Sequence, residues 1–145
     1  MSPFDDTFWD AVERIRDHDD RFRREAYGFV LAALSATVVG LPESRRNDPE
    51  RRHLSGQELV QGVVSLARSE FGPLASTVFE EWGVRTSSDI GAIVFQLVEE
   101  GQLFTRPEDR REDFDAGPDL LGALRESVRP AAREAPRDPG PGDPA

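Results

Sequence analysis

The sequence predicts a mainly α protein in which an N-terminal helical pair packs on a unit of three helices and a small β-hairpin. Three observations support this fold class. Apolar residues recur at helical intervals through most of the chain before Gly101. Hydroxyl residues three positions before an acid mark helix starts at Ser55 and Thr86. A strand-like segment, Leu103-Phe104-Thr105, precedes a charged turn.

The helical pair is predicted within residues 1–40. The first helix ends near Asp17, before His18-Asp19-Asp20 interrupts its apolar pattern. The second helix has a wider apolar face, so we expect it to be largely buried. It should end near Gly40, which is suited to a left-handed cap, with Pro42 just beyond. The apolar positions of the first helix are Phe4, Phe8, Val12 and Ile15.

Residues 41–54 are predicted to form an exposed charged connector, because they contain two prolines and no apolar period. This connector holds the densest positive patch of the chain. We expect a solvated loop in preference to a phosphate or RNA contact, since nearby acids offset much of the charge. The residues of this predicted anion contact are Arg45, Arg46, Arg51 and Arg52.

Three helices and a hairpin are predicted in residues 55–117. The third helix runs from the Ser55 cap to Gly72-Pro73, and the fourth runs from there to Trp82, with Gly83 as its terminator. The fifth helix spans Ser87 to Glu100. After it, Leu103 to Thr105 and a return strand over Glu112 to Phe114 should form a small wing.

A short amphipathic helix is predicted within residues 118–129, through Leu120, Leu121, Leu124 and Val128. Residues 130–145 are rich in Pro, Gly, Ala and charge, so we expect a disordered tail. The sequence therefore predicts one compact domain over residues 1–129.

Several segments between Phe8 and Phe114 resemble a bacterial family of conserved hypothetical proteins, of the planctomycete and verrucomicrobial type. The resemblance covers the chain to about residue 125 and implies no activity and no catalytic residues. The segments that carry it are Phe8-Trp9-Asp10-Ala11-Val12, Arg23-Arg24-Glu25-Ala26-Tyr27-Gly28-Phe29-Val30, Phe71-Gly72-Pro73-Leu74-Ala75, Glu81-Trp82-Gly83-Val84-Arg85 and Arg111-Glu112-Asp113-Phe114.

A second, local resemblance concerns the end of the fifth helix and the turn after it. Leu97-Val98-Glu99-Glu100-Gly101-Gln102-Leu103, with Arg106-Pro107-Glu108-Asp109-Arg110-Arg111, is similar to the recognition helix end and wing of MarR-like winged-helix regulators. The resemblance implies a winged-helix-like shape. The chain departs from those regulators because its fifth helix carries three acids and no Arg, whereas a groove-reading helix normally presents cations or amides.

Composition excludes several classes of function. The formal net charge of -10 disfavours nucleic-acid binding by the monomer. The chain has no Cys and no Lys, which removes thiol nucleophiles, disulfides and a phosphate-loop lysine. The apolar run from Phe29 to Leu41 is too short to span a bilayer. We therefore expect a cytoplasmic protein that does not associate with membranes.

No catalytic pattern is recognisable. The two histidines, His18 and His53, lie far apart beside charged residues, and the acids near His18 lack a second ligand cluster. We therefore expect no enzyme activity, no cofactor and no metal. A hydrolase assembled from distant carboxylates and one histidine is a third alternative that only coordinates could test.

The leading hypothesis is a non-catalytic module that binds another protein through the apolar edge of the fifth helix and the wing. Phe95 motivates it because it widens the apolar stripe of that helix. The alternative is a transcriptional regulator or RNA-associated factor, in which a homodimer combines the Arg-rich loop and the wing into one positive strip. The predicted partner-binding residues are Phe95, Leu103, Phe104, Arg106, Arg110 and Arg111.

Overall fold

A computed structural model describes residues 6–49, 51, 53–103, 112–115 and 119–126. The described part of the chain is mainly helical and contains no β-strand, which confirms the mainly α class. The helices are α1 (Asp6–His18), α2 (Arg24–Val39), α3 (Glu43–Arg46), α4 (Gly56–Phe71), α5 (Ala75–Trp82), α6 (Ser87–Glu99), α7 (Glu112–Asp115) and α8 (Leu120–Glu126), with a 3-10 turn over Gly72–Leu74 between α4 and α5.

Two of these helices begin at the predicted caps. The Ser55 hydroxyl accepts a hydrogen bond from the Glu58 backbone N–H at 3.0 Å, and the Glu58 carboxylate accepts one from the Ser55 N–H at 2.9 Å. Thr86 and Asp89 make the same reciprocal pair at the start of α6, both at 3.1 Å. Each pair satisfies backbone donors that the first turn of a helix leaves unpaired.

Two local predictions are wrong. The return strand predicted over Glu112 to Phe114 is the helical turn α7, which places the Phe114 ring in the core beside Gly91. Gly40 is not left-handed: its φ is -81°, and its N–H bonds to the Ala36 carbonyl at 3.1 Å. The connector also contains one helical turn, α3, that its lack of apolar period did not predict.

The core forms where α2 packs against α4. Helix α6 packs against both of them. A Cβ added at Gly62 of α4 would lie 2.0 Å from the Thr37 hydroxyl of α2, so the absent side chain permits this close approach. Further along, Phe29 of α2 meets Phe71 of α4 with ring centroids 5.5 Å apart. The two helices are therefore antiparallel. None of the described helices has the length and apolar character needed to cross a membrane.

Candidate protein-interaction surface

The helix that would read nucleic acid in a winged-helix regulator, α6, is enclosed by its own chain. It contacts α1, α2, α4 and α7. A groove-reading helix must instead offer a long exposed face to the bases and phosphates. Little of α6 is available for that purpose. Its buried residues are Ser87, Ile90, Gly91, Ala92, Ile93, Val94 and Leu97.

Phe95, the predicted centre of the partner surface, contacts another part of the same chain. Its ring is partly buried and meets Phe114 edge to face, with centroids 6.3 Å apart. A Cβ added at Gly91 would approach three Phe114 side-chain atoms to 2.8–2.9 Å. Gly91 thus leaves the space in which Phe114 covers the apolar edge of α6.

The other predicted partner residues divide in two groups. Leu103 lies in a bend after α6, where it is partly buried against the core. Four of them lie outside the described residues, namely Phe104, Arg106, Arg110 and Arg111.

Two arginines of the predicted anion contact are engaged in structural hydrogen bonds. Arg45 donates hydrogen bonds from both terminal nitrogens to the Glu58 carboxylate, at 2.6 and 2.8 Å. It also donates to the backbone carbonyls of Arg51 and His53. Arg46 donates to the carbonyl of Val39, the last residue of α2, at 3.3 Å, and to that of Leu41 just beyond it at 3.2 Å. The loop is therefore folded onto α2 and α4.

The Arg45–Glu58 contact also alters the protonation of the acid. Hydrogen bonds from Arg45 lower the pKa of Glu58 to about 2, and bonds from Ser55 add to that effect. The carboxylate consequently stays ionised and holds both the loop and the start of α4. Arg51 is exposed, whereas Arg52 lies outside the described residues.

A chain of hydrogen bonds joins the α1–α2 turn to α6. The buried Tyr27 hydroxyl donates to Gln96 Oε1 at 2.7 Å, and Gln96 Nε2 donates to Asp19 Oδ2 at 3.0 Å. Arg21 completes the chain by donating from Nε to the Asp19 carboxylate at 3.1 Å, which lowers the pKa of Asp19. Burial raises the pKa of Tyr27 to about 12. The side chains of this chain of hydrogen bonds satisfy one another, as in a network that fixes side-chain orientation.

Neither histidine belongs to a ligand cluster. His18 is exposed at the end of α1, and His53 is partly buried before α4. Across the ranges that the structure describes, no three residues among His, Asp and Glu converge in a way that could hold a metal ion.

Among the described residues, the largest cluster of rings lies where α2, α4 and α5 meet. Phe29 stacks on Phe71, and Trp82 lies 5.5 Å from Phe29 and 5.7 Å from Phe71 between ring centroids. Beneath them, Phe79 is 2% exposed and fills the core. The other three rings are only partly buried. The cluster thus has a sealed base and a partly open outer side.

Leu74 is an exposed apolar residue close to this cluster in sequence. It lies three residues after Phe71 in the 3-10 turn, and 62% of it is exposed. Among the described residues, only Val39 is a more exposed large hydrophobic, and it lies near the opposite end of α2 from Phe29. We call Phe29, Phe71, Leu74 and Trp82 the aromatic patch. Helical spacing correctly assigned its rings to apolar stripes but could not reveal their partial exposure.

Charged residues neighbour the aromatic patch in sequence. Glu70 precedes Phe71, and Glu81 precedes Trp82; both are exposed. Arg23 reaches Glu81 at 4.0 Å, with 62% and 73% of the two side chains exposed. The Arg23 backbone N–H also donates to the Trp82 carbonyl at 3.1 Å, so α2 and α5 are joined beside the patch.

A shallow groove of about 240 Å³ lies between α4 and α8. Its floor is mainly aliphatic, and Arg68 is the charged residue that lines it. Such a volume is below the usual range for a small-molecule site, and the groove lacks converging polar groups. Its remaining lining residues are Val60, Gln61, Val64, Ser65 and Ala123.

Comparisons with known proteins give no match to any family model, curated protein or solved structure. The site is therefore interpreted from its own geometry.

Proposed function

We propose that this protein is a non-catalytic module that binds another protein, and that the aromatic patch is its contact surface. The supporting observation is that Phe29, Phe71 and Trp82 contact one another while only partly buried, and that Leu74, three residues after Phe71, is mostly exposed. Binding energy at protein interfaces concentrates in a few large apolar anchors, among which tryptophan is prominent. Because Phe29 and Trp82 contact the buried Phe79, these two rings are held in place before a partner arrives.

The partner contact proposed here lies away from the apolar edge of α6, where the sequence had predicted it. There, Phe114 already contacts Phe95, and a partner would have to displace it. Reaching Leu74 requires no such displacement, since most of its side chain faces solvent. The cost of exposing the surface before binding is therefore lower at the aromatic patch.

Three further expectations belong to the same proposal. We propose that α4, α5 and α6 form the three helices of a winged-helix-like unit, whose shape serves protein contact. We also propose, from the sequence resemblance alone, membership of the family of conserved hypothetical proteins. Finally, we propose a cytoplasmic location for the protein.

The competing function, nucleic-acid binding by a homodimer, receives less support from the described residues. The hydrogen bonds of Arg45 and Arg46 to their own chain leave fewer cations for phosphates. A mobility-shift assay with mixed DNA and RNA at low salt tests this alternative. Binding that weakens steeply as salt rises would favour it over the interaction module.

Affinity capture with a matched pair of variants tests the proposed function. The immobilised full chain, Leu74→Gln and Val39→Gln are each exposed to nuclease-treated native lysate. Both substitutions make an exposed aliphatic residue polar, but only the first alters the aromatic patch. We expect a protein that is retained by the wild type and by Val39→Gln, with retention by Leu74→Gln about tenfold lower.

Equal retention by all three proteins would place the contact elsewhere and contradict the proposal. Recovery of no specific protein by the wild type would contradict it as well. Circular dichroism of the two variants provides the folding control. Because both changes lie at exposed positions, we expect both variants to fold as the wild type does.

A further inference from the structure

We propose that residues 42–49 form a strap that opens and closes as one unit while the helical core stays folded, with the contact between Arg45 and Glu58 as its latch. The strap consists of α3 and the residues on either side of it, and it follows the end of α2. The inference is independent of the aromatic patch and concerns how the chain presents its positive charge.

Burial does not hold the strap in place. None of the described residues 42–49 is buried, whereas α2 and α4 each bury several apolar side chains. A segment with few buried apolar contacts opens at a lower free energy than the core around it. Because opening the strap exposes little apolar surface, its hydrogen bonds are the main contacts that opening must break.

Two arginines make the side-chain hydrogen bonds that fasten the strap. Arg46 donates to the carbonyls of Val39 and Leu41, which lie next to the strap in sequence. Arg45 reaches the Glu58 carboxylate 13 positions later, with both terminal nitrogens at 2.6 and 2.8 Å. Bidentate pairs between a guanidinium and a carboxylate are among the strongest hydrogen bonds in proteins. We therefore assign the latch to this pair.

The latch shares its carboxylate with the start of α4. Glu58 Oε1 accepts from Arg45 Nη2 and from the Ser55 backbone N–H, while Glu58 Oε2 accepts from Arg45 Nη1. The capping box fixes this carboxylate through bonds to a residue only three positions away. The acceptor therefore stays in place when the strap opens, and the strap closes again onto a preformed contact.

Opening changes the charge that the chain presents. In the closed strap, Arg45 and Arg46 are partly buried and donate to acceptors of their own chain. When the strap opens, both guanidinium groups reach solvent, on a chain whose formal net charge is -10. The latch thus determines whether these two cations serve the fold or are available outside it.

Amide hydrogen exchange of the full chain, followed by NMR, tests the inference. Amides in the middle of α6 report global unfolding, whereas amides bonded within the strap report its local opening. In the wild type, we expect the strap amides to exchange at least about tenfold faster than the α6 amides, after correction for intrinsic rates. The strap amides that donate to carbonyls within the strap are those of Arg45, Arg46, Asn47 and Asp48.

Two matched substitutions identify the latch. Glu58→Gln removes the charge that Arg45 binds and keeps a side chain that can complete the capping box. Asp89→Asn makes the same kind of change in the capping box of α6. We expect Glu58→Gln to speed exchange of the strap amides about tenfold. Asp89→Asn should speed only the α6 amides, because it weakens the fold without touching the strap.

A third variant, Arg45→Gln, breaks the latch from the other side. It should also speed exchange of the strap amides, and adding Glu58→Gln to it should have little further effect, because the contact is already lost. If the wild-type strap amides exchange as slowly as those of α6, or if Asp89→Asn speeds both sets alike, the strap does not open by itself and the inference is wrong. Unchanged strap exchange in Glu58→Gln, or strictly additive effects of the two latch substitutions, would also overturn it.

Discussion

The apolar edge of α6 and the aromatic patch differ in what lies over them. Phe114 occupies the space above Gly91 and contacts Phe95, so the edge of α6 is used within the fold. At the patch, Phe79 seals only the inner side, and Leu74 faces solvent. Both surfaces arise from apolar helical stripes. The difference shows that an apolar stripe identifies a contact face, whereas its neighbours determine whether the contact is internal or available to a partner.

Truncation of a buried residue in α6 should have the largest effect on stability. Ile93 is fully buried, so Ile93→Ala removes packed atoms and leaves a cavity. We expect the free energy of unfolding to fall by about 2–5 kcal/mol, whereas Leu74→Ala should change it by less than about 0.5 kcal/mol. Urea denaturation followed by circular dichroism measures both. Similar losses for the two variants would contradict the comparison.

Filling the space at Gly91 should have the next largest effect. The Cβ of Gly91→Ala would press on Phe114 at 2.8–2.9 Å, and we expect a loss of about 1–3 kcal/mol. Combining it with Phe114→Leu should give less than the sum of the two single losses, because the smaller side chain relieves the clash. Strictly additive losses would show that Phe114 does not pack on Gly91.

Gly40→Ala is the matched control for this experiment. Its nearest atoms are 3.5 and 3.7 Å from the added Cβ, and its backbone is already helical. We expect no loss of stability there, since alanine fits this conformation and restricts the unfolded chain.

The smallest effect concerns the hydrogen bond between Tyr27 of α2 and Gln96 of α6. Tyr27→Phe removes the donor to Gln96 and should cost about 1 kcal/mol in urea denaturation. Tyr27 is the only tyrosine of the chain, so its ultraviolet absorbance can be titrated without interference. We expect ionisation at about pH 12 in the folded protein and near pH 10 in urea.

The sign of the accompanying stability change follows from these two values. Below pH 10 the tyrosine is neutral in both states, so its contribution to folding is fully present. Between pH 10 and 12 the unfolded state ionises first, and stability falls as pH rises. The Tyr27→Phe variant should not show this loss of stability between pH 10 and 12. A folded-state titration near pH 10 would indicate that the hydroxyl is solvated.

Several helix starts and ends could be predicted because capping depends on residues that are close in sequence. The cap residues Ser55 and Thr86 satisfy nearby backbone donors, and these contacts involve residues only three positions apart. Gly83 is left-handed at φ +86°, as expected for the end of α5. Such features depend on neighbours in sequence, so one chain suffices to read them.

Residues far apart in sequence determined the features that were missed. Glu112 to Phe114 form a helical turn because Phe114 packs against Gly91, 23 positions earlier. Arg45 belongs to a structural contact because Glu58 lies within reach after the connector folds back. The patch was missed for the same reason: the burial of Phe79 and the exposure of Leu74 depend on how α2, α4 and α5 meet.

The sequence by itself determined a helical protein, the start of α4 and α6, and a net charge that disfavours polyanions, because propensity, capping and composition act locally or sum over the chain. Tertiary structure alone decided that Phe114 covers α6, that Arg45 holds Glu58, and that Phe29, Phe71 and Trp82 are only partly buried. The reason is physical: burial and pairing depend on which distant surfaces approach, and helical spacing specifies a face without specifying its neighbour.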